Sequence, residues 1–301
     1  MRNSLMKLAT TMAFATLFTA NVNAATPAAA SKKDNDLSNK ILFVEKEKIG
    51  STYLSVVDPD GKNKRRLTPS MNNIMFPKYH PKSGWVAFTN QTDKMVSEIY
   101  FLNKAGTQLS KKLTNATFED FSPDGLKFLY ITNDEKAELF VYSMETKKAT
   151  KISQDLKCVS ASWSNDGEWI ITSVFDSKTG TLDLYLISCL AQGIIKVTDT
   201  PQFNEAYPSF SNDNQKIAYF TNSHGENEIE ILGVGAGQKI VDDKVMPNLA
   251  NKRTMLAGTQ PSFSPDDKMI AYQKGDEIFV SDINGLKPVK IANGKTPRWT
   301  K

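Results

Sequence analysis

Few side chains in this 301-residue chain suit acid–base or metal chemistry. It has two histidines, His80 and His224, and two cysteines, Cys158 and Cys189. A zinc site needs several such ligands at short spacing, and these four residues are far apart in the sequence. The sequence therefore predicts no metal centre, no cofactor and no catalytic residue. It favours binding over catalysis.

Three short motifs resemble ligand loops but have a simpler interpretation. Residues 58–61 (Asp-Pro-Asp-Gly) and 282–285 (Asp-Ile-Asn-Gly) begin like calcium loops, yet the later ligands are missing, so hairpin turns are predicted. Residues 233–237 are glycine-rich, but no helix follows as a dinucleotide loop requires, so a hairpin tip is predicted. No Gly-x-Ser-x-Gly element is present that could carry a hydrolase nucleophile.

One motif occurs six times and determines the predicted fold. It consists of an aromatic residue, a serine or similar residue, and a turn of the Pro/Asn-Asp-Gly type. The repeat aromatics are Tyr79, Phe121, Trp163, Phe210, Phe263 and Trp299. Their successive separations of 42, 42, 47, 53 and 36 residues are typical of β-propeller blades.

Short runs of β-branched and aromatic residues follow each motif and favour strands over helices. The outermost strand of each unit carries a lysine or arginine, which discourages pairing with another sheet edge, so the basic stripe does not indicate nucleic acid. Residues 41–44 form a strand without a preceding motif, and residues 297–300 form a motif strand with nothing after it. The sequence thus predicts an all-β, six-bladed propeller of four-stranded antiparallel blades, closed by the C-terminal strand joining the N-terminal blade.

The beginning of the chain is typical of an export signal. Arg2 and Lys7 precede an apolar run that is too short to span a bilayer, and small residues lead to a cut after Ala24. We predict a signal peptide at residues 1–24, a flexible leader at 25–39, a propeller at 40–301, and no transmembrane segment after cleavage. Loss of the two cations lowers the formal charge from +4 to +2, too little to indicate nucleic acid binding. The expected compartment is the periplasm, with secretion as the second choice.

The cysteines and histidines have two interpretations each. In an oxidising compartment Cys158 and Cys189 could form a disulfide, or remain free thiols packed as small apolar groups. His80 stands where the other motif copies have serine or threonine and is predicted to be a turn residue. His224 is predicted to lie in an exposed loop, with a ligand contact as the alternative.

The pattern Pro-x-Phe-Ser-x-Asp, at residues 208–213 and 261–266, resembles the repeat of the TolB-like β-propeller family. The resemblance covers roughly residues 40–301 and lacks the α/β domain that precedes the TolB propeller. It implies a periplasmic binding protein whose partner is an envelope protein or peptide, with a Pal-like lipoprotein among the candidates. The same repeat occurs in the propellers of prolyl-oligopeptidase-like peptidases, whose separate hydrolase domain has no counterpart in this sequence.

The candidate binding residues precede the first strand of three blades. The face opposite the Asp-Gly turns, here called the loop face, carries connections of varied length, including residues 90–94, 222–227 and 242–259, and binding concentrates in such loops. On this face we predict a partner site near the channel mouth, made of aromatics with acidic and amide neighbours. The predicted site residues are Phe76, Phe118, Glu119, Asp120, Asn204, Glu205 and Tyr207.

Two alternatives accompany this prediction. The three aromatics sit three residues before a repeat aromatic, so they should share one level around the axis, but they could also cap the blade cores. The alternative function is a small-ligand binder, or a hydrolase- or lyase-type enzyme, that uses the central channel. A monomer is expected.

Overall fold

The computed structural model describes residues 36–47, 50–80, 82–190, 193–241 and 244–301, and their side chains outside 235–255. The predicted signal peptide and residues 25–35 of the predicted leader lie outside the described residues. The described secondary structure consists of strands and turns arranged in six four-stranded sheets. No helix long and apolar enough to cross a bilayer occurs in this part of the chain.

The six sheets are the blades, numbered here from the N-terminus. Blade 1 contains β1 (Ile41–Lys46), β2 (Thr52–Val57), β3 (Arg65–Arg66) and β24 (Lys295–Trp299). Blade 2 contains β4 (Asn73–Tyr79), β5 (Val86–Gln91), β6 (Ser97–Leu102) and β7 (Leu109–Thr114). Blade 3 contains β8 (Ala116–Phe121), β9 (Lys127–Thr132), β10 (Leu139–Ser143) and β11 (Ala149–Lys151).

The remaining three blades follow the same antiparallel order. Blade 4 contains β12 (Cys158–Trp163), β13 (Trp169–Asp176), β14 (Thr181–Ser188) and β15 (Ile194–Lys196). Blade 5 contains β16 (Glu205–Phe210), β17 (Lys216–Thr221), β18 (Glu228–Val241) and β19 (Lys244–Ala257). Blade 6 contains β20 (Thr259–Phe263), β21 (Met269–Lys274), β22 (Glu277–Asp282) and β23 (Val289–Asn293). The predicted fold class, a six-bladed propeller, is confirmed.

The ring closes as the sequence predicts. In blade 1, β24 pairs antiparallel with β1, with Ile41 opposite Trp299, and the Thr300 N–H donates to the Lys40 carbonyl at 2.8 Å. The packed chain begins before the predicted boundary at residue 40, because Leu37 is 4% exposed and belongs to the core cluster of blades 1 and 2. The last residues of the predicted leader are therefore part of the propeller.

The innermost strands contact one another in the ring order β24, β4, β8, β12, β16, β20. Each apolar cluster joins two neighbouring sheets, as where the aromatic side chains of blades 2 and 3 interlock. Both faces of a blade are buried in this way, which explains why its middle strands are apolar on both sides. Blades 2 and 5 face each other across the channel.

The repeated motif closes the turn between the first two strands of a blade. Ser122 Oγ donates to Asp124 Oδ1 at 2.5 Å and accepts the Lys127 N–H at 2.9 Å, and three other blades repeat this pattern. His80 fills the serine position in blade 2, where its Nδ1 accepts the Ser83 N–H at 3.0 Å and its Nε2–H donates to a blade 3 carbonyl at 2.7 Å. The prediction that His80 is a turn residue is confirmed. We call the end of the ring that carries these turns the turn face.

The longest hairpin differs from the prediction. β18 pairs with β17 only as far as Gly233, and β18 and β19 then continue past the turn face. Residues 233–237 therefore lie within a strand instead of forming a tip, and residues 239–241 end the third strand of blade 5. Residues 242–259 were expected in a loop-face connection, but most of them form β19, which returns from the opposite side of the ring. Residues 242 and 243 lie outside the described residues.

Candidate functional site in the central channel

The first strand of each blade runs from the loop face to the turn face along the channel. Residues at equal distances from the six repeat aromatics therefore lie at similar depths. Two of these levels form the candidate site. The upper level holds the residues three positions before each repeat aromatic, and the lower level holds the residues immediately before it.

The upper level contains an aromatic pair, Phe76 and Tyr207. Their ring centroids are 6.1 Å apart, and because the two residues come from opposite blades, the rings meet across the channel axis. Both side chains are partly exposed. Half-buried aromatics at the centre of a protein face are typical anchors for a partner.

The backbone explains why these two rings point into the channel. Phe76 and Tyr207 have φ values of 51° and 53°, in the left-handed region that costs a non-glycine residue roughly 1 kcal/mol or more. Each is followed by a proline, and the ladder skips both residues, as between Met75 and Lys78. A proline cannot donate to the ladder and disfavours helical geometry in the residue before it, so the pair forms a bulge. Gln260 and Thr296 also have φ values in the left-handed region, and each of them is followed by a proline.

Phe118 does not share this level, which corrects the prediction for the third aromatic. No proline follows it, its strand bulges at Glu119 instead, and Phe118 stays paired opposite Tyr130. Its ring is 0% exposed and packs edge-on against Phe101 and at 5.8 Å from Phe128. Phe118 is thus a core residue between blades 2 and 3, as the alternative interpretation held.

The acidic and amide residues predicted beside the aromatics are mostly buried. Glu205 is 0% exposed and accepts hydrogen bonds from the hydroxyls of Thr198 and Thr200. Asn204 is partly exposed and ties blade 4 to blade 5, because its Oδ1 accepts the Leu182 N–H at 3.1 Å. Contrary to the prediction, these two residues do not present their polar groups at the loop face, because those groups bond to neighbouring segments of the protein.

Glu119 lies beside the channel and is buried. Its Oε2 accepts the Ala161 N–H at 3.0 Å, while its Oε1 is buried without a partner among the described residues. Burial raises the pKa of this carboxyl to about 8. Burial therefore disfavours the charged form of Glu119, while the Ala161 N–H and the charges of Lys78 and Arg298 favour it.

The lower level is a ring of six polar residues, one from each blade, of which the sequence-predicted site includes only Asp120. We call this set the polar ring: Lys78, Asp120, Ser162, Ser209, Ser262 and Arg298. All six line a cavity of about 130 Å³ whose wall also contains turn residues, so the cavity lies at the turn-face end of the channel. The signal was present in the sequence, because each residue immediately precedes a repeat aromatic.

The remaining candidate residues lie away from the channel. Cys158 is buried and Cys189 is exposed, and both are free thiols, so no disulfide joins them. Burial raises the pKa of the Cys158 thiol to about 11. His224 lies in an exposed loop, as predicted, with its Nδ1 2.7 Å from Glu228. The residues that the structure describes contain no cluster of three metal-ligating side chains.

Comparison with known proteins gives consistent matches. A family model described as the TolB beta propeller domain matches residues 32–299. The "Protein TolB homolog" of Chlorobium luteolum is 26% identical over 133 residues, which are 44% of this chain and 30% of that protein. The chain thus spans less than a third of this curated relative.

Two solved structures share the fold. TolB from Acinetobacter baumannii aligns with a TM-score of 0.69 and 19% identity, covering 88% of this chain and 67% of that chain. A protein described as putative TolB from Agrobacterium tumefaciens aligns with a TM-score of 0.60 and 14% identity, covering 85% of this chain and 90% of that chain. At these identities the likeness concerns the fold alone.

Proposed function

The chain belongs to the TolB beta-propeller domain family, and on this premise we propose that it is a periplasmic protein-interaction module. Its partner is an envelope protein or peptide that docks on the loop face, with a Pal-like lipoprotein as the first candidate. Propellers of this kind serve as scaffolds for protein binding. The export-type start of the sequence supports the periplasmic location.

The aromatic pair is the observation that carries the proposal. The aromatic side chains of Phe76 and Tyr207 are partly exposed at the centre of the propeller. Each lies on the first strand of its blade, between two neighbouring blades. The backbone N–H of Tyr207 donates to Ser160 Oγ at 3.0 Å, which fixes its bulge against blade 4. A rigid aromatic anchor loses little side-chain entropy when a partner binds.

Binding fits this level of the channel better than catalysis. A general acid or base must reach the substrate, whereas the carboxylates nearest the aromatic pair are engaged with the protein itself. Glu119 accepts a backbone N–H and Glu205 accepts threonine hydroxyls, and both are buried. These contacts support an interaction role with no catalytic residue. We also propose that the chain acts as a monomer.

Site-specific photocrosslinking tests which face binds the partner. Benzoylphenylalanine is placed at Asn72 or Gln202, exposed residues beside the loop-face mouth, and at Lys82 or Asn165, exposed residues of the turn face. The tagged protein is irradiated in intact cells, and crosslinked proteins are identified by mass spectrometry. We expect the same envelope protein to be captured from both loop-face positions.

The turn-face positions are the matched controls. The captured protein should be absent from, or much weaker at, Lys82 and Asn165. Capture of one protein from the turn face alone would place the interface at the other end of the channel. Fractionation of the same cells should recover the crosslinked species in the periplasm, and recovery in the cytoplasm would contradict the proposed location.

A further inference from the structure

The polar ring has an excess of positive charge. Lys78 and Arg298 face a single acid, Asp120, and three serines complete the ring. Lys301 also lines the cavity near its mouth, where its Nζ donates to Asn165 Oδ1 at 3.1 Å. Three cationic side chains and one acidic side chain therefore line the cavity.

Asp120 has no capacity left to balance both ring cations. Its Oδ1 accepts the Phe121 N–H at 3.0 Å and lies 3.3 Å from Lys78 Nζ. Its Oδ2 accepts both the Ser162 hydroxyl and the Trp163 N–H at 3.0 Å. Asp120 thus pairs with Lys78 and fixes the neighbouring strand, and it leaves Arg298 without a carboxylate.

Arg298 is the cation that lacks a counterion. Its Nη1 donates to two backbone carbonyls, those of Pro297 at 3.0 Å and Gln260 at 3.4 Å, and its Nε is buried without a partner in the described part of the chain. Asp120 and Glu119 act on it only at longer range. Burial lowers the pKa of Arg298 and of Lys78, and a bound anion would oppose that effect.

Two serine hydroxyls can add hydrogen bonds to such an anion. Ser262 Oγ accepts the Trp299 N–H at 2.9 Å, which leaves its own proton available for an acceptor in the cavity. Ser209 lines the same cavity from blade 5. A cavity of about 130 Å³ admits a group about as large as a benzene ring or smaller, which matches a carboxylate with a short alkyl stem.

From this geometry we infer that the polar ring is a carboxylate-binding site, reached from the turn face and separate from the loop-face partner site. Arg298 and Lys78 supply the charge, and Ser209 and Ser262 supply hydroxyl donors. The carboxylate belongs either to a small organic acid or to the end of a peptide. An arginine guanidinium presents two parallel N–H groups to a carboxylate, so it is the principal contact.

Arginine side-chain NMR tests the site directly. The full chain contains five arginines, so its Nε–H spectrum is simple, and the Arg298 signal is identified by its loss in Arg298→Gln. The labelled protein is titrated with sodium acetate, with sodium chloride at equal ionic strength as the control. We expect the Arg298 Nε–H signal to shift saturably with acetate, while the signal of the exposed Arg66 stays unchanged.

Variants quantify the contribution of each residue through saturation-transfer NMR of acetate. Arg298→Gln should weaken acetate binding at least tenfold, and Ser209→Ala, a milder change, about threefold. Arg66→Gln, which removes a cation from the outer strand of blade 1, should leave acetate binding unchanged. If Arg298→Gln fails to fold, Ser209→Ala and the Arg298 signal of the unaltered protein still decide the result.

A peptide arm distinguishes the two sources of carboxylate. N-acetyl-tetraglycine is compared with its C-terminal carboxamide. Tighter binding of the free acid than of acetate, with no binding of the amide, identifies a peptide end, whereas binding of acetate alone identifies a small organic acid. An equal response to chloride, or an equal loss of acetate binding in Arg66→Gln and Arg298→Gln, would overturn the inference.

Discussion

Replacing Trp299 by alanine should lower the thermal midpoint of unfolding by roughly 10 °C. The indole is 8% exposed, packs with Ile41 of the N-terminal strand and donates from its Nε1 to Asn39 Oδ1 at 3.0 Å. Removing a buried aromatic side chain costs about 3–5 kcal/mol, and each kcal/mol lowers the midpoint of a domain of this size by about 2–4 °C. The same residue pairs the two ends of the chain, so its loss also weakens the closure of the ring.

A second change separates closure from packing. Deleting residues 297–301 removes the paired strand as well as the indole, and it should destabilise the protein more than Trp299→Ala. Trp85→Ala is the matched control, because Trp85 is only partly buried and lies away from the seam. A truncated protein with an unchanged midpoint, measured by circular dichroism, would mean that β24 does not hold the ring together.

Phe118→Ala should cost about 3–5 kcal/mol of unfolding free energy, far more than the same change at Phe76 or Tyr207. Phe118 is fully buried among the rings of blades 2 and 3, so its removal leaves a cavity. The side chains of Phe76 and Tyr207 are partly exposed, so replacing them by alanine removes fewer packing contacts. Urea unfolding of the three single variants gives the comparison.

The urea experiment also tests whether the position of the bulge decides which aromatic residues lie in the core and which point into the channel. If Phe76→Ala lost as much stability as Phe118→Ala, both rings would be core residues. The loop face would then lack its aromatic anchor. If Phe118→Ala were no more destabilising than the other two, the packing between blades 2 and 3 would not depend on its ring.

The blade count could be predicted because the repeated motif acts locally. In blades 3 to 6 the motif serine and aspartate bond to each other and to the backbone within five residues, so the turn forms from its own sequence. The closing strand followed from counting motif copies at the two chain ends. These features need no knowledge of distant contacts.

The depth of each channel residue was harder to predict, because it depends on the bulge that each strand adopts. Phe76, Phe118 and Tyr207 occupy equal positions in sequence, yet only the two that precede proline point into the channel. The discriminating signal is the residue that follows each aromatic, which is Pro77 or Pro208 in two strands and Glu119 in the third. The left-handed φ that it implies becomes visible only in the structure.

The long hairpin was misread for a different reason. Residues 233–237 alternate glycine with small apolar residues, and glycine is usually a turn signal. No Asn-Gly or Asp-Gly pair occurs there, and β18 continues to pair with β19 through a register shift between Gly235 and Gln238. The burial of Glu205 could not be predicted from the sequence, where it is typical of a surface acid. Its carboxylate accepts hydrogen bonds from threonine hydroxyls of the preceding connection.

The affinity of Phe76→Ala and Tyr207→Ala for the crosslinked partner tests the central claim most directly. Calorimetric titration of the purified partner should show a loss of about 2 kcal/mol or more for each variant, roughly thirtyfold in Kd, as expected for an aromatic anchor. Lys94→Ala, an exposed change at the rim of the loop face, should bind normally. Unchanged affinity in both aromatic variants, with intact folding, would contradict a partner site at the aromatic pair.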